Sequence, residues 1–86
     1  MVGYKEMAAM KSDVIDLLNL SDGYDKDKQP ILADRARKEA LDLMVKYAKE
    51  KIENGDKLNA DDNALTQKVC AQNIVTRDYW DKKIGK

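Results

Sequence analysis

Apolar residues along this chain recur at spacings of three and four, and β-branched alternation is nearly absent. That period places side chains on one face of a helix. The first such stretch, YKEMAAMKSDVIDLLNL, carries Met7, Met10, Val14, Leu17 and Leu18 on its stripe, interrupted by Ser12 and Asp13. Short polar side chains of this kind bond nearby backbone groups and favour helix starts over interiors. The pattern therefore predicts two pieces, an N-terminal arm over residues 1–11 and a short helix started by Ser12 over DVIDLLNL. The next stretch, SDGYDKDKQP, reads as a loop because of Gly23 and its aspartates. Asp22, Asp25 and Asp27 invite a calcium reading. The EF-hand pattern requires a glycine in the sixth position and a glutamate in the twelfth, which this stretch lacks. A solvated loop with a helix-start carboxylate is the reading taken.

Pro30 sits where a first-turn proline is tolerated. A long helix is predicted from about Pro30 to Glu53, stopped by Asn54-Gly55. Its stripe is Ala33, Ala36, Ala40, Leu41, Met44, Val45, Ala48 and Ile52. Small alanines let another helix approach closely. Leu43 and Tyr47 lie off the centre of the stripe and widen it, so the helix is expected to pack against more than one neighbour. Its basic and acidic residues are interleaved as on a solvated face, with Glu39 and Asp42 within reach of basic neighbours three and four positions away.

GDKLNADD reads as a second loop, with Leu58 tucked onto the core and Asp61 or Asp62 capping the next helix. A third helix is predicted from about Asp62 to Lys83. On a helical wheel Ala64, Leu65, Val69, Ala71, Val75, Tyr79 and Trp80 share one broad face, with Gln72 and Thr76 inside it. Cys70 and Ile74 fall on roughly the opposite side. A helix that is apolar on two sides is either central to a bundle or docked against another chain, and both readings stand at this point. The fold class expected is all-α, a small bundle of three to four helices in one domain over residues 1–86.

Size and charge narrow the functional classes. A chain of 86 residues buries a modest core and is only marginally stable without help. Its single cysteine, Cys70, excludes an intramolecular disulfide and fits a reducing, intracellular setting. Partner subunits are the remaining way to add buried area. Sixteen basic and sixteen acidic residues give zero net charge, which argues against bulk electrostatic binding of nucleic acid. No apolar run approaches the roughly 18 residues of a membrane span, and MVGYKEMAAMKSD has no apolar core of a signal peptide. The expectation is a soluble, cytoplasmic protein bound to neither membrane nor specific nucleic acid. A nucleic-acid interface built on Arg35, Arg37 and Lys38 would need a steep salt dependence of binding to revive it.

The residues offer little to catalysis. There is no histidine, the commonest general base and metal ligand. No Walker or dinucleotide-binding glycine pattern occurs. Cys70 lies between Val69 and Ala71 with no CxxC, as a small packed side chain rather than a reactive thiol. The Asp61-Asp62 pair suits a helix start, where carboxylates favour the macrodipole. The chain is thus read as no enzyme, with no catalytic residues, cofactor or metal. Tyr79 and Trp80 admit two roles. They close one end of a small core, or they anchor a protein interface with Arg77, Lys82 and Lys83 as its rim. The interface candidates are Cys70, Ile74, Arg77, Tyr79, Trp80, Lys82 and Lys83.

Taken together, the short DVIDLLNL segment, the acidic loop, the long helix ending in YAKEKIENG and the last helix closing on NIVTRDYWDKKIG resemble the head-tail connector proteins of long-tailed bacteriophages, also called head-completion or adaptor proteins. The matching positions are Asp13, Val14, Leu17 and Leu18, then Tyr47, then Ile74, Val75, Tyr79 and Gly85, so the likeness spans most of residues 12–85. The chain departs from the pattern at Trp80, where a small polar residue usually follows the tyrosine, and by one extra residue before the glycine. The resemblance implies a structural protein of a phage or prophage. Copies would form a homo-oligomeric ring on the portal and link capsid to tail during virion assembly. The ring number would follow the portal's. The partners would be portal and tail components; such adaptors are often monomers in isolation that assemble on the portal, and the protein would be cytoplasmic in the host cell before assembly and part of the virion afterwards. The alternative, from a different class, is a small helical regulator or inhibitor that binds one host or viral protein through the third helix. A connector needs two distinct subunit-facing surfaces, and an inhibitor needs one.

Overall fold

The structure, a computed structural model, describes residues 3–85. Within them the chain forms four helices and no strand: α1 (Tyr4–Lys26), α2 (Pro30–Glu53), α3 (Ala60–Asn73) and α4 (Arg77–Ile84). The all-α bundle expected from the period is what forms. No helix among the described residues is long and apolar enough to cross a membrane.

α2 is the hub, and α1, α3 and α4 all pack on it. Its ends hold as read from sequence, and so does most of its stripe; Ile52, placed on that stripe, is exposed, and Val45 is half-buried. Pro30 occupies the first turn, Asn54 is the C-cap, and Gly55 adopts the left-handed conformation at φ 83°. Ala33, Ala36, Ala40, Leu41, Met44 and Ala48 are buried, and so is Tyr47 beside the stripe, because the helix has three neighbours to cover. The core combines Met7, Val14 and Leu18 of α1, Ala40 to Ala48 positions of α2, Val69 of α3, and Trp80 and Ile84 of α4. Leu58 packs against it from the loop, as expected.

α1 departs from expectation at both ends. It runs unbroken through Ser12 and Asp13, which are exposed and start nothing. Met7 is in the core, so residues 4–11 continue the same helix. Burying an apolar side chain contributes about 1.5–3 kcal/mol, more than the tenths by which Ser or Asp disfavour a helix interior. The acidic stretch read as a loop is also helix, to Lys26, leaving residues 27–29 as the connection. Two contacts hold it. Ser21 is buried, its hydroxyl donating to the Leu18 carbonyl at 2.7 Å and toward Gln72 Oε1 of α3 at 3.4 Å. Arg37 of α2 reaches Asp25 at 2.8 Å and pairs with Asp34 as well.

The third helix expected over residues 62–83 is two helices. α3 stops at Asn73, and Ile74 takes the left-handed conformation at φ 54°. The Ile74 amide donates to the Ala71 carbonyl and the Val75 amide to the Cys70 carbonyl, at 3.3 and 3.1 Å. This crossed pair is a Schellman stop. Thr76 then caps α4, its hydroxyl accepting from the Tyr79 amide at 3.1 Å. α3's inward face is Asp62, Thr66 and Val69, while Ala64 and Ala71, assigned to that face by the wheel, are exposed.

The break separates the two neighbouring aromatics. Trp80 is 1% exposed and sits in the core; Tyr79 is 40% exposed, with Lys83 Nζ 5.4 Å from its ring centroid. We expect Trp80→Ala to lower unfolding stability by about 3–5 kcal/mol, enough to leave a domain of this size partly unfolded, and Tyr79→Ala to lower it by less than about 1 kcal/mol. Urea denaturation followed by circular dichroism measures both. Equal losses would contradict the separation.

Candidate functional site

Two places in the fold concentrate chemistry. The first is the start of α3. Asn59 is the N-cap, and its side chain accepts from the Asp62 amide at 2.8 Å while Asp62 Oδ2 accepts from the Asn59 amide at 3.1 Å. This reciprocal capping box satisfies two amides that a helix start leaves without partners. The cap is thus Asn59, with Asp62 three residues inside, rather than Asp61 or Asp62 as the cap itself. Asp62 also does more than cap. Its side chain is 0% exposed. Oδ1 accepts from the Tyr47 hydroxyl at 2.8 Å and from Lys11 Nζ at 2.9 Å; Oδ2 accepts from Lys51 Nζ at 2.5 Å. The Thr66 hydroxyl donates to the Asp62 carbonyl at 2.8 Å.

One carboxylate therefore ties α1, α2 and α3 together. Burial pushes its pKa up. Hydrogen bonds from Lys51, Lys11, the Asn59 amide and Tyr47 outweigh that and hold it well below the usual carboxylate range. Tyr47 is pushed up, first by its own burial and then by its bond to the anionic partner. Lys51 is raised chiefly by its bond to Asp62. All near lone-pair directions of the carboxylate are occupied, so the group is a fixed charge that organises its surroundings. The sequence offered half a signal for it, the Asn59-to-Asp62 spacing of a capping box.

The second place is the corner between α3 and α4. Here the seven interface candidates separate. Ile74 is 93% exposed at the apex. Arg77 is exposed and 3.3 Å from Asp81, and Tyr79, Lys82 and Lys83 lie on the surface of α4. Cys70 is half-buried and packs against the core; burial pushes its thiol up, against a smaller opposite effect of Arg77. It shares a shallow cavity with Thr66, Gln67, Ala71, Val75 and Arg77. Trp80 belongs to this chain's own core, so its side chain is not presented at the corner. Of the basic trio on α2, Arg37 is held by Asp34 and Asp25, raised mainly by the Asp34 bond, and its carbonyl accepts from Asn73 Nδ2 at 3.0 Å.

No protein-family model, curated protein or solved structure matches this chain. Among the described residues no group of three or more Cys, Asp or Glu is placed to hold a metal ion.

The Asp62 cluster fixes an acid limit on stability. Its folded pKa lies below the ordinary 3.8, so protonation favours the unfolded chain. The stabilisation is present above that ordinary value and is lost as pH falls below it, toward the depressed folded value. We expect Asp62→Asn to lower stability at pH 7 by about 3 kcal/mol, near the low end for a broken buried pair because both lysines keep some contact with water. The variant should also lose less stability than the parent between pH 5 and acid, as followed by thermal melts across that range.

Proposed function

We propose that this chain is a non-enzymatic structural protein that works by docking other protein surfaces, in the specific form of a phage head-tail connector that joins a ring on a portal. The observation that supports docking is Ile74. A β-branched residue in the left-handed region is a steric outlier, unfavourable by roughly 1–2 kcal/mol. Exposing its side chain forgoes burial as well. Two other helices end with the same crossed amide bonds, and there the left-handed residue is Lys28 or Gly55. Glycine suits that position without strain, and a lysine at least carries its charge into water. Ile74 satisfies neither requirement within the isolated chain. Strain that the fold does not use points to a role elsewhere, and an apolar knob beside Arg77 and Tyr79 has the composition of an interface centre.

The connector form rests on the resemblance over residues 12–85. Its Asp13, Val14, Leu17 and Leu18 now lie mid-α1, and its Ile74 and Val75 form the corner rather than the middle of a last helix. If the corner docks a single protein and no ring forms, the regulator reading takes its place.

The genes flanking this one test the connector form. Neighbours encoding a portal, a large terminase subunit and a major capsid protein are expected, and the purified protein should then add to that portal as a ring visible by electron microscopy. Neighbours of early regulatory type, or a portal that remains bare, would remove it. The docking reading has its own test. Ile74→Gly should raise unfolding stability by about 1 kcal/mol, by relieving the left-handed strain, yet weaken portal binding at least tenfold in a titration. Unchanged binding would mean that the corner is not the docking surface.

A further inference from the structure

The zero net charge conceals an uneven distribution. Residues 13–27 carry Asp13, Asp16, Asp22, Asp25 and Asp27 against Lys26 alone. α4 carries Arg77, Lys82 and Lys83 against Asp78 and Asp81. Acidic and basic excesses thus sit on different elements, and α4 packs on α2.

The acidic segment also holds a shallow trough. Asp16, Asn19, Leu20, Gly23 and Tyr24, at spacings that put them on one face of α1, line it together with Asp27 at the helix's C-cap. That face lies away from the Val14, Leu18 and Ser21 side that the bundle buries. Leu20 is 50% exposed on it. The floor is Gly23. A Cβ there would meet no heavy atom within 4 Å, so nothing inside this chain requires glycine. A glycine within a helix lowers stability by about 1 kcal/mol relative to alanine. What the glycine provides is a low floor between Leu20 and Tyr24, flanked by carboxylates.

The α3–α4 corner protrudes at Ile74, and α4 beyond it carries a net basic excess: Arg77 pairs with Asp81, and Lys82 and Lys83 are exposed against Asp78. We propose that the α1 trough of one copy receives the α3–α4 corner of a second copy, with Ile74 seated over Gly23 and the basic residues of α4 facing Asp16 and Asp27. This rests on the reading of the corner as a docking surface, and it is independent of the connector resemblance. Trough and corner lie on different elements, so the contact is heterologous. Each copy offers one of each, and successive copies add head to tail until rotation closes a ring. The occupant is a second copy because this chain supplies both halves of a complementary pair, which suppresses mismatched partners as well as favouring the match.

Sedimentation velocity over a range of protein concentration tests it, with two variants chosen to leave the fold intact. Gly23→Lys fills the trough with a good helix former and a repelling charge. Ile74→Asn removes the knob and suits the left-handed position better. Neither should lower the melting temperature. The parent protein is expected to associate with rising concentration in low salt and to dissociate as salt rises, since charge attraction is screened within about 3 Å at 1 M. Each variant alone should remain monomeric. Mixed, they should form a heterodimer that grows no further, because one intact trough meets one intact corner. A parent that stays monomeric at every concentration overturns the proposal. So does a mixture that stays monomeric while the parent associates. Neither result touches the docking reading itself, which the Ile74→Gly titration against a portal reads separately.

Discussion

Asp62 is buried without access to water, and a buried carboxylate is tolerable only when its charge and lone pairs are met. Lys11 comes from α1, Tyr47 and Lys51 from α2, and the Asn59 amide from the loop that starts α3. Those four donors can converge only when all three helices are in one relative position. Apolar contacts are permissive by comparison: the alanine-rich face of α2 would accept a helix slid by a fraction of a turn. Such a slide would strand a charge. In this bundle the ionic cluster selects the geometry, and the small core of Val14, Leu18, Met44, Val69 and Trp80 supplies the apolar burial around it.

α3 shows the consequence most clearly. Its inward face presents Asp62, Thr66 and Val69, with Gln72 and Asn73 reaching Ser21 and the Arg37 carbonyl. Val69 is the one fully buried aliphatic residue of α3, with Leu65 and Cys70 half-buried beside the core, a weak hydrophobic stripe. A wheel that searches for apolar positions therefore finds Leu65 and Val69, which do meet the core, but misses Asp62 and Thr66 and puts Ala64 and Ala71 inside. What was readable was α2, where Pro30 and Asn54-Gly55 mark the ends and the stripe is long. The capping box at Asn59 and Asp62 was visible as a spacing, but its lysines and tyrosine lie on other helices and no local pattern joins them. In α1, Ser12, Asp13 and Gly23 are local signals worth tenths to about 1 kcal/mol, and the burial of Met7, Val14 and Leu18 outweighs them, with Ser21 held by its hydrogen bonds.

The break at Ile74 was hidden for a different reason. Helix stops are read from glycine or asparagine in the left-handed position, and here an isoleucine stands there. Local preference and global fold usually agree in natural sequences, and the exceptions gather at functional sites. Exposed Ile31 or Tyr4 need no such account, since scattered apolar residues on a surface are ordinary. Ile74 differs in combining exposure with backbone strain at a corner that also carries Arg77.

The rigidity of that corner follows from the tryptophan beside it. Thr76 sets the phase of α4, and with it which of two adjacent aromatics faces inward. Trp80 and Ile84 then pin α4 to the core, while Asn73 pins the end of α3 to α2. Ile74 projects from between two anchored helix ends, so little ordering entropy remains to be lost when a surface closes over it. Burial of Trp80 and display of Ile74 are thus two sides of one arrangement: the first removes an aromatic from the surface and in doing so holds the aliphatic knob still.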